Sequence, residues 1–307
     1  MPAGAATRRR PVRSATMPHS LLYIVRESTA YLQRCGSPSA RLDAEVLVAH
    51  ALHLRRLDLY LQFDRPLEEP ELASLRPLLR ERGRGCPVAY LTAEREFHGH
   101  AFTVSPAVLI PRPETELLVD RTLAALDRQG PGPVADLGTG SGCIAVSLAL
   151  ERPGLRVDAV DQSQEALRVA AANAERHGVA DRVIGLLGDW TAPLRGRGPY
   201  RAVVSNPPYV TTAELAALDA GVRNFEPVVA LDAGADGLDP YRAILAGLPP
   251  LLAPDASVLF EIDPRRADGL QALCAAAWPA AAVARYRDLS GRERVLEVDL
   301  AGAGLPR

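Results

Sequence analysis

The sequence predicts an α/β protein in which a doubly wound sheet follows a small bundle of helices. Two observations predict this class. Over residues 21–84 apolar residues recur at helical spacing. From residue 133 onward, short apolar runs rich in β-branched residues alternate with helical segments, a pattern typical of parallel strands joined by right-handed crossovers. With 307 residues, 48% of them hydrophobic, the chain can bury a large core.

The pattern predicts four segments along the chain. They are a disordered tail over residues 1–18, a helical domain over 19–93, a hairpin and linker over 94–113, and the sheet domain over 114–307. The tail is rich in Ala, Arg and Pro and lacks periodicity. A mitochondrial or chloroplast transit peptide shares this composition, but translation from Met17 explains the tail equally well, and we favour the second account.

Charge and cysteine usage narrow the function classes. The formal net charge is −2, and removing the four arginines of residues 1–18 leaves −6 on the remainder. An acidic body argues against a large nucleic-acid footprint, which needs a basic face. The four cysteines are widely separated and the two close histidine pairs lack a third ligand nearby, so we expect a reduced cytoplasmic protein without a metal site.

The first 93 residues predict three helices and no catalytic constellation. Leu21, Leu22, Val25 and Leu32 form one stripe, Ser39 is expected to cap a second helix, and the third covers residues 71–82. A bundle without chemistry of its own is most simply a module that docks a partner or substrate. A purely structural cap remains the alternative.

The connector that follows is expected to be stiff. Residues 94–104 alternate around a glycine and predict a hairpin. Prolines 111 and 113 then precede a helix that ends near Arg128. The linker could form a lid over a site, or its two glutamates could simply be favourable charges in the first turn of that helix.

The sheet domain is expected to hold five strands and a closing hairpin. The strands are predicted from residue 134 and over 156–161, 183–187, 200–205 and 257–262, and the hairpin over 281–287 and 294–300. Helices are expected to end near Leu150, to follow Ser163 as N-cap, and to cover residues 265–277.

Acidic residues end or follow successive strands and indicate a nucleoside ligand. A glycine turn, Gly138, Thr139, Gly140, Ser141 and Gly142, lets a ligand approach a helix N-terminus closely. Asp161 stands where a carboxylate accepts both ribose hydroxyls of an adenosine. A dehydrogenase shares these features. Asp136 suits a sulfonium cation, however, and Asp189 with Trp190 offers an acceptor and a ring for adenine. We therefore favour S-adenosylmethionine over a nicotinamide cofactor.

Residues 205–209, Ser-Asn-Pro-Pro-Tyr, end the central strand, because prolines cannot continue its hydrogen-bond ladder. A planar amide or amino nitrogen could be held there, with Asn206 and the Pro207 carbonyl accepting its hydrogens. Tyr209 would pack on the planar group, so catalysis would consist mostly of orientation. A proline-rich turn capped by asparagine is the alternative.

Together these motifs resemble the HemK/PrmC-type peptide chain release factor glutamine methyltransferases. The resemblance covers residues 21–300. It rests on residues 42–45 (Leu-Asp-Ala-Glu), 87–90 (Pro-Val-Ala-Tyr), 110–116 (Ile-Pro-Arg-Pro-Glu-Thr-Glu), 136–142 (Asp-Leu-Gly-Thr-Gly-Ser-Gly), 205–209, 225–227 (Phe-Glu-Pro) and 288–294 (Asp-Leu-Ser-Gly-Arg-Glu-Arg). Two departures stand out: Ala93 and Asp263-Pro264 occupy positions where the family commonly has Gly.

The resemblance implies a class I, Rossmann-like methyltransferase domain over residues 114–307. It implies methyl transfer to the glutamine amide of a release factor's Gly-Gly-Gln motif, with the helical domain docking that factor. It places the cofactor on residues 138–142, Asp161, Trp190 and Asn206, and the glutamine on Asn206, Pro207, Pro208 and Tyr209.

Two other functions stay open from the sequence. The Asn-Pro-Pro-Tyr tetrad also occurs in adenine methyltransferases of nucleic acid, which would need a basic recognition region. A non-catalytic scaffold that binds S-adenosylmethionine is the second, although it would have no reason to keep Asn206, Tyr209 and Asp161 together.

Overall fold

The computed structural model describes residues 19–303, so the predicted tail over residues 1–18 lies outside the described part. The chain divides into two compact units, and the boundary falls between Val88 and Ala89. This boundary lies a few residues before the predicted end of the helical domain. No helix in the described range is long and apolar enough to cross a membrane.

The first unit is built from helices, as predicted. They are α1 (Leu21–Arg34), α2 (Ala40–Ala51), the short α3 (Asp58–Leu61) and α4 (Glu69–Gly83). Leu32 of α1 packs with Ala40 and Ala44 of α2. Glu68 and Glu71 form a reciprocal capping box at the start of α4.

One detail of the first unit corrects the sequence prediction. Ser39 occupies the N-cap position of α2, but its side chain makes no capping bond. Its hydroxyl donates instead to Asp43 Oδ1 at 2.8 Å, while Ser37 and Arg82 donate to Oδ2 at 2.6 and 2.8 Å. A buried carboxylate forms strong, charge-assisted hydrogen bonds. The Ser39 hydroxyl therefore points toward Asp43 and not toward the backbone of the first helical turn.

The second unit holds the sheet. The boundary between the units falls inside α5 (Val88–Thr92), which is followed by the predicted hairpin of β1 (Glu94–Phe97) and β2 (His100–Thr103). After a 3-10 turn (Pro113–Thr115) come α6 (Glu116–Gln129), β3 (Val134–Leu137), α7 (Cys143–Glu151), β4 (Val157–Asp161), α8 (Gln164–Arg176), β5 (Val183–Leu187), β6 (Tyr200–Ser205), α9 (Ala220–Phe225), α10 (Asp239–Gly247), β7 (Leu252–Glu261), α11 (Ala267–Ala277), β8 (Ala282–Arg287) and β9 (Glu293–Asp299).

The sheet is doubly wound, which confirms the predicted class. Its order is β5-β4-β3-β6-β7-β9-β8. The strands β3 to β7 run parallel, and β9 pairs antiparallel with both β7 and β8 as the predicted closing hairpin. Helices cover both faces, so the central strands are buried on both sides and read as continuous apolar runs.

The chain order reverses direction at β3, and this positions the site. After β3 the sheet grows outward through β4 and β5, then returns to add β6 on the other side of β3. Loops that leave the carboxyl ends of β3 and β6 therefore separate and open a crevice, where doubly wound sheets bind ligands.

Candidate active site

The cleft lies at the carboxyl ends of β3, β4, β5 and β6. Nine residues that the sequence assigned to the site line it: Gly138, Thr139, Gly140, Ser141, Asp161, Asp189, Trp190, Asn206 and Pro208. The four remaining assigned residues, Asp136, Gly142, Pro207 and Tyr209, do not line it. The fold thus brings together residues from four separate strand ends.

The glycine turn has the backbone geometry that the motif predicts. Gly138 has φ +72°, and a Cβ there would stand 3.4 Å from the Trp190 ring. Gly142, the N-cap of α7, has φ +77°, and a Cβ there would lie 3.0 Å from Ala170 Cβ and 3.1 Å from its Cα. A side chain at either glycine would be strained because both residues are left-handed, and at Gly142 it would also push against Ala170 of α8.

Asp161 is fixed by backbone hydrogen bonds. Its Oδ2 accepts from the Gly140 N–H and its Oδ1 from the Ser163 N–H, both at 2.9 Å. A carboxylate has about four lone-pair sites, so each oxygen keeps acceptor capacity directed at the cleft that Asp161 lines. The arrangement suits two neighbouring hydroxyl groups.

Asp136 lies behind the turn. It is fully buried, its Oδ2 accepts from the Thr139 hydroxyl at 2.6 Å, and its Oδ1 has no hydrogen-bond partner among residues 19–303. Burial raises the pKa of this carboxyl to about 7. The carboxyl thus anchors the glycine turn through Thr139, and its proposed attraction for a sulfonium stays a prediction.

Trp190 adopts a strained backbone. Its φ is +39°, a left-handed conformation that is uncommon for a bulky side chain. The half-buried ring packs against the core beneath the cleft and faces Gly138. Such strain typically costs about 1–3 kcal/mol and clusters at ligand sites.

Asn206 follows β6 directly and presents its carbonyl. Its Nδ2 donates to the Thr115 hydroxyl at 3.3 Å, while the preceding Ser205 hydroxyl is tied to the Leu137 carbonyl at 2.7 Å. Pro207 is buried and Tyr209 is half-buried against the core, where burial raises the pKa of its phenol. Asn206 thus keeps Oδ1 as an acceptor beside the cleft.

One wall of the cleft has no residue that the sequence assigned to the site, although the linker was a possible lid. Pro111, Arg112 and Thr115 of the linker line it, as do Pro227, Val229 and Ala230 after α9. Arg112 donates to Glu226 Oε1 at 2.6 Å and the Ile110 N–H donates to Oε2 at 3.3 Å, with the Glu226 side chain only 1% exposed. The Pro-Arg-Pro and Phe-Glu-Pro motifs were visible in the sequence, but nothing there indicated that they pair.

The residues of the cleft fit S-adenosylmethionine. Asp161 offers acceptors for the ribose hydroxyls, and the Trp190 ring with Asp189 offers a face and an acceptor for adenine. The glycine turn brings backbone close to the ligand. No cluster of three His, Cys, Asp or Glu within residues 19–303 could hold a metal ion.

Comparisons with known proteins agree with this site. Residues 24–92 match the PrmC N-terminal domain family and residues 114–223 match the methyltransferase small domain family. The release factor glutamine methyltransferase of Nitratidesulfovibrio vulgaris is 41% identical over 80% of this chain and 84% of its own length. That of Rhodopirellula baltica is 37% identical over 92% of this chain and 97% of its own.

A solved structure supports the fold alone. The catalytic domain of hMettl16, crystallised with a MAT2A 3′UTR hairpin, matches with a TM-score of 0.53 and 16% identity over 75% of this chain and 84% of that one. Its low identity carries no argument on substrate. With relatives at about 40% identity across most of both chains, the protein belongs to the family of release factor glutamine methyltransferases and uses S-adenosylmethionine.

Proposed function

We propose that this protein transfers a methyl group from S-adenosylmethionine to the side-chain amide nitrogen of the glutamine in the Gly-Gly-Gln motif of peptide chain release factors. The observation that carries the proposal is Asn206 at the edge of the cofactor cleft, whose side-chain carbonyl accepts no hydrogen bond within residues 19–303. The relatives from Nitratidesulfovibrio vulgaris and Rhodopirellula baltica are named release factor glutamine methyltransferases, and these names support a release factor as the substrate.

An amide nitrogen is a poor nucleophile because its lone pair is delocalised. When bound, S-adenosylmethionine supplies an electrophilic methyl group on its sulfonium sulfur. Asn206 Oδ1 and the Pro207 carbonyl would accept the two N–H hydrogens of the glutamine and turn the nitrogen toward the cleft. Tyr209 would pack on the planar amide. Holding reacting atoms about 3–3.5 Å apart is the main catalytic contribution that this arrangement needs.

No general base is required before attack. As the new N–C bond formed, the bond between the methyl carbon and the sulfonium sulfur would break and leave the neutral thioether. The amide proton would become acidic in the same step and would pass afterwards to water. Burial raises the pKa of the Tyr209 phenol above an ordinary value that already leaves it neutral at physiological pH. A neutral ring packs on the amide without adding charge to the site.

The first unit offers a surface for the release factor. Several large apolar side chains on this unit are exposed, Tyr23, Leu42, Leu57, Tyr60, Leu61 and Phe63. Exposed aromatic and aliphatic side chains in such numbers are typical of protein contact surfaces. We propose that this unit docks the release factor, that nucleic acid is not a substrate, and that the protein acts in the cytoplasm, where translation ends.

Methyl transfer to purified substrates tests the proposal. The protein is incubated with methyl-labelled S-adenosylmethionine and either a bacterial release factor, the same factor with its motif glutamine changed to glutamate, or adenine-containing DNA and RNA. We expect label only in the unaltered factor. Label in the glutamate variant or in nucleic acid would overturn the assignment.

A further inference from the structure

The β8–β9 turn (residues 288–292) presents an apolar side chain to solvent. Leu289 is fully exposed, whereas the other exposed large apolar side chains of residues 19–303 are at most 68% exposed. The turn belongs to residues 288–294, one of the motifs on which the family resemblance rests, and none of these residues lines the cofactor cleft. The cofactor site thus leaves this motif without a role.

The backbone of the β8–β9 turn is held by hydrogen bonds on both sides of Leu289. Asp288 Oδ1 accepts from the Ser290 N–H at 2.9 Å, from the Ser290 hydroxyl at 2.6 Å and from the Arg292 N–H at 3.0 Å. Its Oδ2 accepts from Arg294 Nε at 3.0 Å, and its own N–H donates to the Arg292 carbonyl at 2.8 Å. Covering a side chain on an ordered backbone costs less conformational entropy than ordering a flexible loop.

The β8–β9 turn lies at the same edge of the sheet as the cleft. β9 runs antiparallel to β7, and the Ile262 N–H donates to the Arg294 carbonyl at 2.8 Å just beyond the end of β7. β6 runs parallel to β7, so Asn206 follows β6 at the edge where β9 begins. Two strand spacings, about 10 Å, separate β6 from β9.

The cofactor residues and the β8–β9 turn lie on opposite sides of β6. Asp161 ends β4 and Trp190 follows β5, and both line the cleft. In the sheet order, β4 and β5 stand on one side of β6, whereas β7, β9 and β8 stand on the other. A substrate that reaches Asn206 must leave the adenosine in place. We therefore expect the chain that carries the glutamine on the side of β7 and β9.

We propose that the β8–β9 turn docks the release factor beside its Gly-Gly-Gln motif, with Leu289 against an apolar side chain and Arg292 against a carboxylate. This inference rests on the proposed function. The Arg292 side chain is exposed and makes no ion pair or hydrogen bond within residues 19–303, so its guanidinium can pair with a partner's carboxylate. Both contacts lie outside the reacting atoms and should act on KM and not on kcat.

The second unit supplies a matched control for each residue. Leu187 ends β5 at the same edge of the sheet, is 53% exposed and does not line the cleft, but it stands on the cofactor side. Arg156 precedes β4 at the opposite edge, where its exposed side chain makes no ion pair within the described chain. Each control shares the residue type and the exposure but not the position.

The test compares Leu289→Ser and Arg292→Ala with Leu187→Ser and Arg156→Ala. For each full-length variant, kcat and KM are measured with an intact bacterial release factor at about 50 mM and about 300 mM salt, because salt screens exposed charges. The Tm and the calorimetric Kd for S-adenosylmethionine show whether the fold and the cofactor site are intact. All four substitutions are on the surface, so both quantities should match the wild type.

We expect Leu289→Ser to raise KM for the release factor about five- to tenfold, with kcat within about twofold of the wild type. Arg292→Ala should raise KM about three- to fivefold at the lower salt concentration and less than about twofold at the higher one. Leu187→Ser and Arg156→Ala should keep the wild-type KM at both salt concentrations.

An unchanged KM in Leu289→Ser would overturn the docking role, and so would an equal rise in Leu187→Ser. A rise in KM for Arg292→Ala that is absent, or is the same at both salt concentrations, would overturn the contact with a carboxylate. A wild-type protein that does not methylate the release factor would instead overturn the proposed function, and the docking role with it.

Discussion

Breaking the contact between Glu226 and the linker should destabilise the protein and weaken cofactor binding together. Glu226→Ala removes the acceptor of the Arg112 guanidinium and of the Ile110 N–H. Both the linker and the segment after Glu226 line the cofactor cleft. The substitution therefore frees two walls of the cleft from each other.

The magnitude follows from burial. A hydrogen bond to a charged group contributes about 1.5–3 kcal/mol and a neutral one about 1 kcal/mol. Removing one partner of a fully buried ion pair costs about 3–5 kcal/mol. The Arg112 side chain is 31% exposed and can be partly rehydrated, so we expect a loss near the lower limit, about 3 kcal/mol. For a unit of this size that lowers Tm by about 6–12 °C.

The assay measures thermal unfolding and the calorimetric Kd for S-adenosylmethionine. The matched control is Asp127→Ala, which removes an exposed ion pair with Arg152 (side chains 63% and 40% exposed) and should cost at most about 1 kcal/mol. We expect Glu226→Ala to weaken cofactor binding at least about tenfold because the cleft loses its ordered wall. Equal Tm values for the two variants, with an unchanged Kd, would refute the reasoning.

Three further substitutions test the site. Asn206→Ala should lower kcat about 10- to 150-fold because it removes a half-buried acceptor, measured by labelled methyl transfer. Gly142→Ala should cost at least about 1 kcal/mol more than Gly154→Ala in denaturant titrations, because both have positive φ but only Gly142 meets Ala170. Asp136 has a folded pKa raised by burial to about 7, so the native state binds the extra proton and its contribution to stability falls as pH rises from about 4 to 7. Asp136→Asn should therefore gain stability relative to the wild type over that range, and a constant difference would contradict this.

The sequence predicted the sheet well because parallel strands buried on both faces are continuous apolar runs. The predicted and observed bounds of the central strand agree at residues 200–205. The next strand was predicted from Ser257 but begins at Leu252, because Pro254 argues against a strand. Irregular pairing between Tyr200 and Ala202 accommodates that proline, which is exposed. Only the three-dimensional pairing could reveal this.

Residues that line the cleft could be predicted where a polar residue stands at the end of a strand. They could not be predicted where the direction of the side chain decides whether it reaches the cleft. Asp161 and Asn206 line the cleft as expected. Asp136 precedes the same turn but points inward to Thr139, and the sequence gives no sign of that direction. The role of Glu226 was equally hidden, since its partners Ile110 and Arg112 lie more than a hundred residues earlier.

Tandem mass spectrometry of a release factor after incubation with the protein and S-adenosylmethionine tests the central claim most directly. We predict a mass increase of one methyl substitution on the glutamine of the Gly-Gly-Gln peptide, strongly reduced with Asn206→Ala. An unmodified glutamine with the wild-type protein, or full modification by Asn206→Ala, would contradict the account.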